Sequence, residues 1–253
     1  MCSITIENGR FGNQLIRNIA TSMIAKRHNL KIQYCNEDKI NKLGIDLFHG
    51  EKSWENTLRV NDENFFSFLT CDKMTFNIWT NDNYFQTPEI IMHIYRWLRR
   101  PESINKIVNA NPFRERYACN NDIGIHIRLG DIAINDNKDV PAKYYIDTIN
   151  KISTSDYNNI FISTDSIDHP TIHEIRKAIP KVIFINENEE RTIQFLSTCK
   201  YVILSHGSFS SIIGTLSFYS REIFYPYHHL PEKDRWYGKG LFCLEKFTEI
   251  YYK

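Results

Sequence analysis

The sequence lacks the short motifs that most directly declare a chemistry. Its six cysteines, Cys2, Cys35, Cys71, Cys119, Cys199 and Cys243, stand far apart and form no C-x-x-C pair. That excludes zinc-ribbon and thioredoxin-like sites and leaves reduced, buried thiols of a cytosolic-type protein. No two aspartates stand two apart, so the D-x-D arrangement that clamps a metal-bound diphosphate is missing. His169 and His173 are four apart, but HPTIH has no zinc-hydrolase glutamate; two surface histidines on a helix are expected there. G-x-S-x-G is also missing, which removes the serine-hydrolase elbow. No apolar run approaches the ~20 residues a membrane helix needs. The opening MCSITIENG lacks a basic region followed by an apolar one, so no signal peptide, no membrane segment and a cytoplasmic location are expected. With 31 basic and 30 acidic residues, no charge excess favours nucleic acid or an anionic membrane as partner.

What remains is an ordinary globular composition. The 253 residues are 42% apolar and 24% charged, enough for one α/β unit or two small lobes. Residues 3–6 alternate like a strand and meet a turn at Asn8-Gly9. Positions 15, 16, 19, 20, 23 and 24 then form one apolar face, predicting a helix over 15–27, and 31–34 reads as the next strand. The chain therefore opens as a parallel β–α–β crossover. Residues 36–87 carry no sustained period, with 75–79 a weak strand. A helix over 88–99 is predicted from Thr87 as N-cap and Pro88 at the first helical position, and a second over 103–108.

The second half is regular. Apolar runs at 123–127 (IGIHI), 160–164 (IFIST), 182–185 (VIFI), 201–204 (YVIL) and 222–225 alternate with helical patterns at 142–152, 171–178, 192–199 and 210–218. Continuous apolar strands alternating with helices predict an α/β fold with a parallel sheet covered on both faces. In such sheets ligands sit beyond the carboxyl ends of the strands.

Four strand-to-helix turns lie there. GRFGNQ (9–14) holds Gly9, Gly12, Asn13 and Gln14; its glycines allow close backbone approach and its helix start offers N–H donors to an anion, or it is a plain tight turn. HIRLGD (126–131) puts His126 and Arg128 on one strand face, with Arg128 offering a fork of donors suited to a diphosphate. Asp131 is placed to hold either of them. SHGSFSS (205–211) sets Ser205, His206, Gly207, Ser208, Phe209 and Ser210 at a helix start, where hydroxyls and backbone donors suit phosphate or Ser208 or Ser210 caps the helix. Asp165, in STDS (163–166), is either a helix cap or an acceptor for a guanine edge or ribose hydroxyl.

Three of these segments resemble one family in order and spacing. GRFGNQLIRNIATSMIAKRHNLK, IGIHIRLGD and RTIQFLSTCKYVILSHGSFSSIIGTLSFYSREIFYP are similar to the first strand–helix, the H-x-R-R-G-D motif and the C-terminal nucleotide-binding segment of the α-1,2-fucosyltransferases, glycosyltransferase family 11. The resemblance implies a GT-B-like fold of two Rossmann-like lobes. Residues 1–110 would form an N-terminal α/β lobe on the acceptor side, and 111–253 a donor-binding lobe. It implies an inverting, metal-independent enzyme with GDP-fucose as donor substrate, no cofactor, and a glycan hydroxyl, such as the 2-OH of a galactose, as acceptor. Carried over by position, Arg128 binds the diphosphate and His126 is its neighbour. Ser205 to Ser210 contact the nucleotide, and Gly12 and Asn13 lie near the reacting sugar. His126 and Asp131 are both candidates for the base. The motif's second arginine is Leu129 in this chain. Transfer from another GDP- or UDP-sugar and protein O-fucosylation stay open, as does a silent nucleotide- or glycan-binding protein. Oligomeric state is not legible.

Overall fold

The computed structural model describes residues 2–130, 139–227, 241 and 247–251. The chain divides into two compact units, Met1–Asn111 and Pro112–Lys253. Among the described residues no helix is long and apolar enough to cross a membrane.

The first unit contains β1 (Ser3–Ile4), α1 (Phe11–His28), β2 (Ile32–Gln33), α2 (Glu37–Lys42), β3 (Thr57–Arg59), α3 (Phe65–Thr70), β4 (Asn77–Trp79), α4 (Pro88–Leu98) and α5 (Pro101–Ala110). β1 pairs with β2 and β3 with β4, both in parallel. Side chains join the two ribbons. The Ser3 hydroxyl accepts from the Ile78 N–H at 2.9 Å. Asn81 accepts from the Ile6 N–H and donates to the Ile4 carbonyl, both at 2.9 Å. The Thr87 side chain caps α4, as its Thr-Pro start predicts.

One expectation fails instructively. α1 is not a helix with one apolar face and one wet face; it begins four residues earlier and is buried nearly all round. Its polar residues turn inward because the crossover loops wrap it and need hydrogen-bond partners. Asn18 donates to the Cys35 carbonyl at 2.7 Å, Ser22 accepts from the Phe48 N–H at 2.8 Å, and His28 bonds the Phe68 carbonyl at 2.7 Å. Since α1 starts at Phe11, Gly12 lies inside the helix with no left-handed φ; Gly9, at φ 77°, makes the turn.

The second unit contains β5 (Ile123–Ile127), α6 (Ala142–Lys151), β6 (Ile160–Thr164), α7 (Pro170–Ala178), β7 (Val182–Phe184), α8 (Glu189–Leu196), β8 (Tyr201–Ile203), α9 (Ser208–Leu216), β9 (Glu222–Tyr227) and β10 (Phe247–Tyr251). Its six strands form one parallel sheet in the order β10-β9-β8-β5-β6-β7. β10 is a strand the sequence pattern does not announce. The α/β fold with a parallel sheet is as expected.

Alternation along β5 sets up everything that follows. Ile123, Ile125 and Ile127 enter the apolar core with Tyr144, Tyr145, Ile149 and Ile172 of α6 and α7. Each such buried aliphatic chain contributes on the order of 1.5–3 kcal/mol. His126 faces the other way, toward α9.

Candidate functional site at the strand ends of the second unit

The strand order defines a topological switch point. From β5 the chain builds outward through β6 to β7, then returns to lay β8 on the opposite side of β5, with Ile125 beside Ile203. The turns leaving β5 and β8 must diverge, and a crevice opens between their carboxyl ends. Two of the four turns singled out in the sequence meet here, and a third braces them.

His126, Arg128, Asp165 and residues Ser205–Ser210 come together. The His126 Nδ1 lies 2.6 Å from the Ser210 hydroxyl, and its ring packs 5.0 Å from that of Phe209. His126 is buried, so this ring ties α9 to the end of β5. Alternation continues past the strand. Arg128 follows His126 to the α9 side, while Leu129 turns back into the core beside Ile127. A methyl group at Gly207 would collide with Nη1 of Arg128, so the guanidinium occupies the space a side chain at 207 would fill. Gly207 also adopts φ 95°, a conformation that favours glycine.

Gly207 is the N-cap of α9, and among the described residues no side chain caps the helix. The expected capping by Ser208 or Ser210 is corrected: both lie inside the first turn, and Ser210 is engaged with His126. The first-turn N–H groups, with the helix dipole behind them, belong to the helix start that Arg128 packs against. Ser205 is fully buried just past β8, and among the described residues its hydroxyl has no hydrogen-bond partner. His206, Gly207 and Ser208 are buried too, while Phe209 and Arg128 are half-buried.

Asp165 is not the cap of the following helix; His169 holds that position. Its Oδ1 instead accepts from the N–H groups of Leu129 and Gly130, at 2.8 and 3.0 Å. Asp131 lies outside the described residues. Among the described residues no group of three or more His, Cys, Asp or Glu side chains gathers as a metal site needs.

The fourth turn, in the first unit, is built differently. Gly9 is exposed, Asn13 half-buried, and Gly12 and Gln14 buried. Gln14 donates to the Gly9 carbonyl at 2.7 Å, and Asn13 accepts from Gln86 at 2.8 Å. The decisive residue here was not read from the sequence. Arg17, fully buried, donates from Nε to the Asn83 carbonyl, from Nη1 to that of Ile6 and from Nη2 to that of Asn8, all at 3.0–3.1 Å. Burial lowers its pKa. The sequence carried little signal for it: Arg17 is followed by Asn18 and shares its helix face with Asn13, Gln14 and Thr21, as on a solvated side. Phe85, buried with φ 56°, holds the same loop in a left-handed turn that costs a non-glycine residue on the order of 1–2 kcal/mol.

A cleft of about 230 Å³ also lies in the first unit, lined by Ser22, Lys26, Phe48, Trp97, Arg100 and neighbours. Its lining includes the Lys106–Asp46 ion pair and Glu102, but none of the turns singled out in the sequence. The switch point, where sequence motifs and geometry coincide, is the stronger site.

No family model matches the chain. An α-1,2-colitosyltransferase from Escherichia coli is 30% identical over 147 residues, 52% of this chain and 47% of that protein. The match therefore spans about half the relative's length. A glycosyl transferase family 9 structure from Veillonella parvula aligns with a TM-score of 0.55 at 9% identity, covering 99% of this chain and 85% of that one. A NodZ α-1,6-fucosyltransferase crystal soaked with GDP-fucose aligns at 0.46 and 15% identity over 88% and 94%. The fold is α/β and GT-B-like, shared with that family 9 structure. Over about half of its length the chain is similar in sequence to an α-1,2-colitosyltransferase, the class of protein the three motifs resemble.

Proposed function

We propose that the chain moves L-fucose from GDP-fucose to a glycan hydroxyl, such as the 2-OH of a galactose, as an inverting, metal-independent glycosyltransferase. The observation that carries this reading is Arg128 seated against Gly207 at the switch point, facing an α9 start that no side chain caps. That geometry is suited to a diphosphate: a charged fork from one side and main-chain N–H groups from the other. In this reading the second unit takes the donor and the first the acceptor. The relative's name favours colitose as the alternative donor sugar.

The chemistry follows from where charge develops. As the bond between the sugar and GDP breaks, the β-phosphate gains negative charge and the sugar becomes oxocarbenium-like. Arg128 and the N–H groups at the start of α9 stabilise that charge without reorganising, the kind of interaction worth about 2.7–4 kcal/mol per donor. The acceptor hydroxyl attacks from the opposite face and gives its proton to a base. His126 has one ring nitrogen committed to Ser210, which suits it to holding α9 in place; Asp131 is the other candidate base.

The test is calorimetry with GDP, GDP-fucose, the colitose analogue, GDP-mannose and UDP-sugars, in buffer with and without EDTA. Binding of GDP and GDP-fucose that survives EDTA is expected. Binding of UDP-sugars alone would sink the donor assignment, and loss of transfer with EDTA would end metal independence.

A further inference from the structure

Arg128 can act only if the turn that carries it is held, and that turn follows the last residue of a strand whose ladder has ended. The N–H groups of Leu129 and Gly130 point to one oxygen, Oδ1 of Asp165, at the end of the neighbouring strand β6. β5 and β6 run in register to their last pair, Ile127 beside Thr164, so Asp165 continues the ladder by one step with a side chain in place of a carbonyl. Leu129 is locked from its other side by burial in the core. Between these two restraints the backbone at 128–130 has one arrangement, and it directs Arg128 toward Gly207.

We propose that Asp165 is a positioning residue for Arg128, acting as a hydrogen-bond acceptor for the turn rather than as a charge that touches the ligand. This deepens the diphosphate reading and rests on it. It differs from a direct nucleotide contact in one respect. An acceptor for two N–H groups needs an oxygen at Oδ1 and no negative charge, so asparagine can replace aspartate, whereas alanine cannot.

The experiment compares Asp165→Asn and Asp165→Ala with the unaltered chain. GDP affinity is read by calorimetry, and exchange of the Leu129 and Gly130 amides by hydrogen–deuterium exchange. Asp165→Asn should bind GDP within about threefold of the parent and keep both amides protected. Asp165→Ala should bind on the order of tenfold more weakly, the loss expected for two ordinary hydrogen bonds at a partly exposed site, and should expose both amides to exchange. Equal loss in both variants overturns the proposal and assigns the carboxylate a ligand contact. Parent-like binding by Asp165→Ala also overturns it. If Asp165→Ala does not fold, Asp165→Asn alone decides by keeping or losing affinity. A parent chain that binds no GDP defeats the diphosphate reading, and the exchange of the two amides in the variants then decides the clamp separately.

Discussion

Both units direct an arginine at the carboxyl ends of their parallel strands, and they use it in opposite ways. In the first unit Arg17 reaches up from α1 and gives its donors to three loop carbonyls, two after β1 and one after β4. The guanidinium is buried and its hydrogen-bonding capacity goes into closing the loops. In the second unit Arg128 leaves β5 half-buried, set against a glycine at an uncapped helix start. The same residue type closes loops through three carbonyls in one case and packs against a helix start in the other. Carbonyls must be satisfied inside the fold, whereas the N–H groups of a helix start favour an anion.

The comparison breaks most visibly at Arg128. Arg128→Ala should reduce fucosyl transfer by about 10²–10³-fold, the usual cost of one preorganised donor, while unfolding in urea shifts by less than about 0.5 kcal/mol. Radiolabelled donor transfer and a denaturation curve read both; near-normal turnover would refute the role. Arg17→Met should do the reverse. It removes three hydrogen bonds from a buried, charged donor, each worth about 1.5–3 kcal/mol where water is excluded and less at the exposed loop carbonyls, so stability should fall by about 3 kcal/mol. A melting curve that hardly moves would show that the loops close without it.

Two smaller effects sharpen the contrast between buried and presented groups. Cys199 is fully buried, and desolvation pushes its thiol up to about 12. At pH 8 a thiol reagent should modify exposed Cys119 readily and Cys199 only after denaturation. Mass mapping of the adducts checks this, and early labelling of Cys199 would contradict its burial. His93 is held below its usual pKa by burial, then by Arg100 and Arg96. The unfolded chain therefore binds a proton more readily than the folded one. Stability should decline as pH falls through the unfolded value near ~6.5 and on toward the lower folded value. His93→Gln should flatten that part of the pH–stability curve; an unchanged slope assigns it elsewhere.

How far the sequence was legible follows from which physical signals are local. Apolar runs such as IFIST and YVIL betray buried strands because a two-sided sheet needs every residue apolar. Turn chemistry marks the ends of those strands, which is why His126, Arg128 and the Ser205–Ser210 turn stand out in the sequence, and the structure brings them together. The strand order was not readable, since parallel neighbours leave no pattern in either strand, and with it the switch point stayed hidden. α1 misled for a different reason. Polar residues at helical spacing normally mean water on that face, and nothing within 15–27 signals that loops from positions 35, 48, 68 and 83 fold over it. The cap reading of Asp165 failed because the backbone amides it accepts from, those of Leu129 and Gly130, lie 36 and 35 positions away in the chain.

The inward turn of Leu129 has a consequence for anyone altering this chain toward a consensus. The related motif carries a second arginine at that position, and an alignment would flag leucine as a defect to repair. Here the side chain is fully buried among aliphatic neighbours. Reverting it would force a guanidinium into a hydrocarbon interior, and the product to expect is insoluble protein rather than a restored transferase.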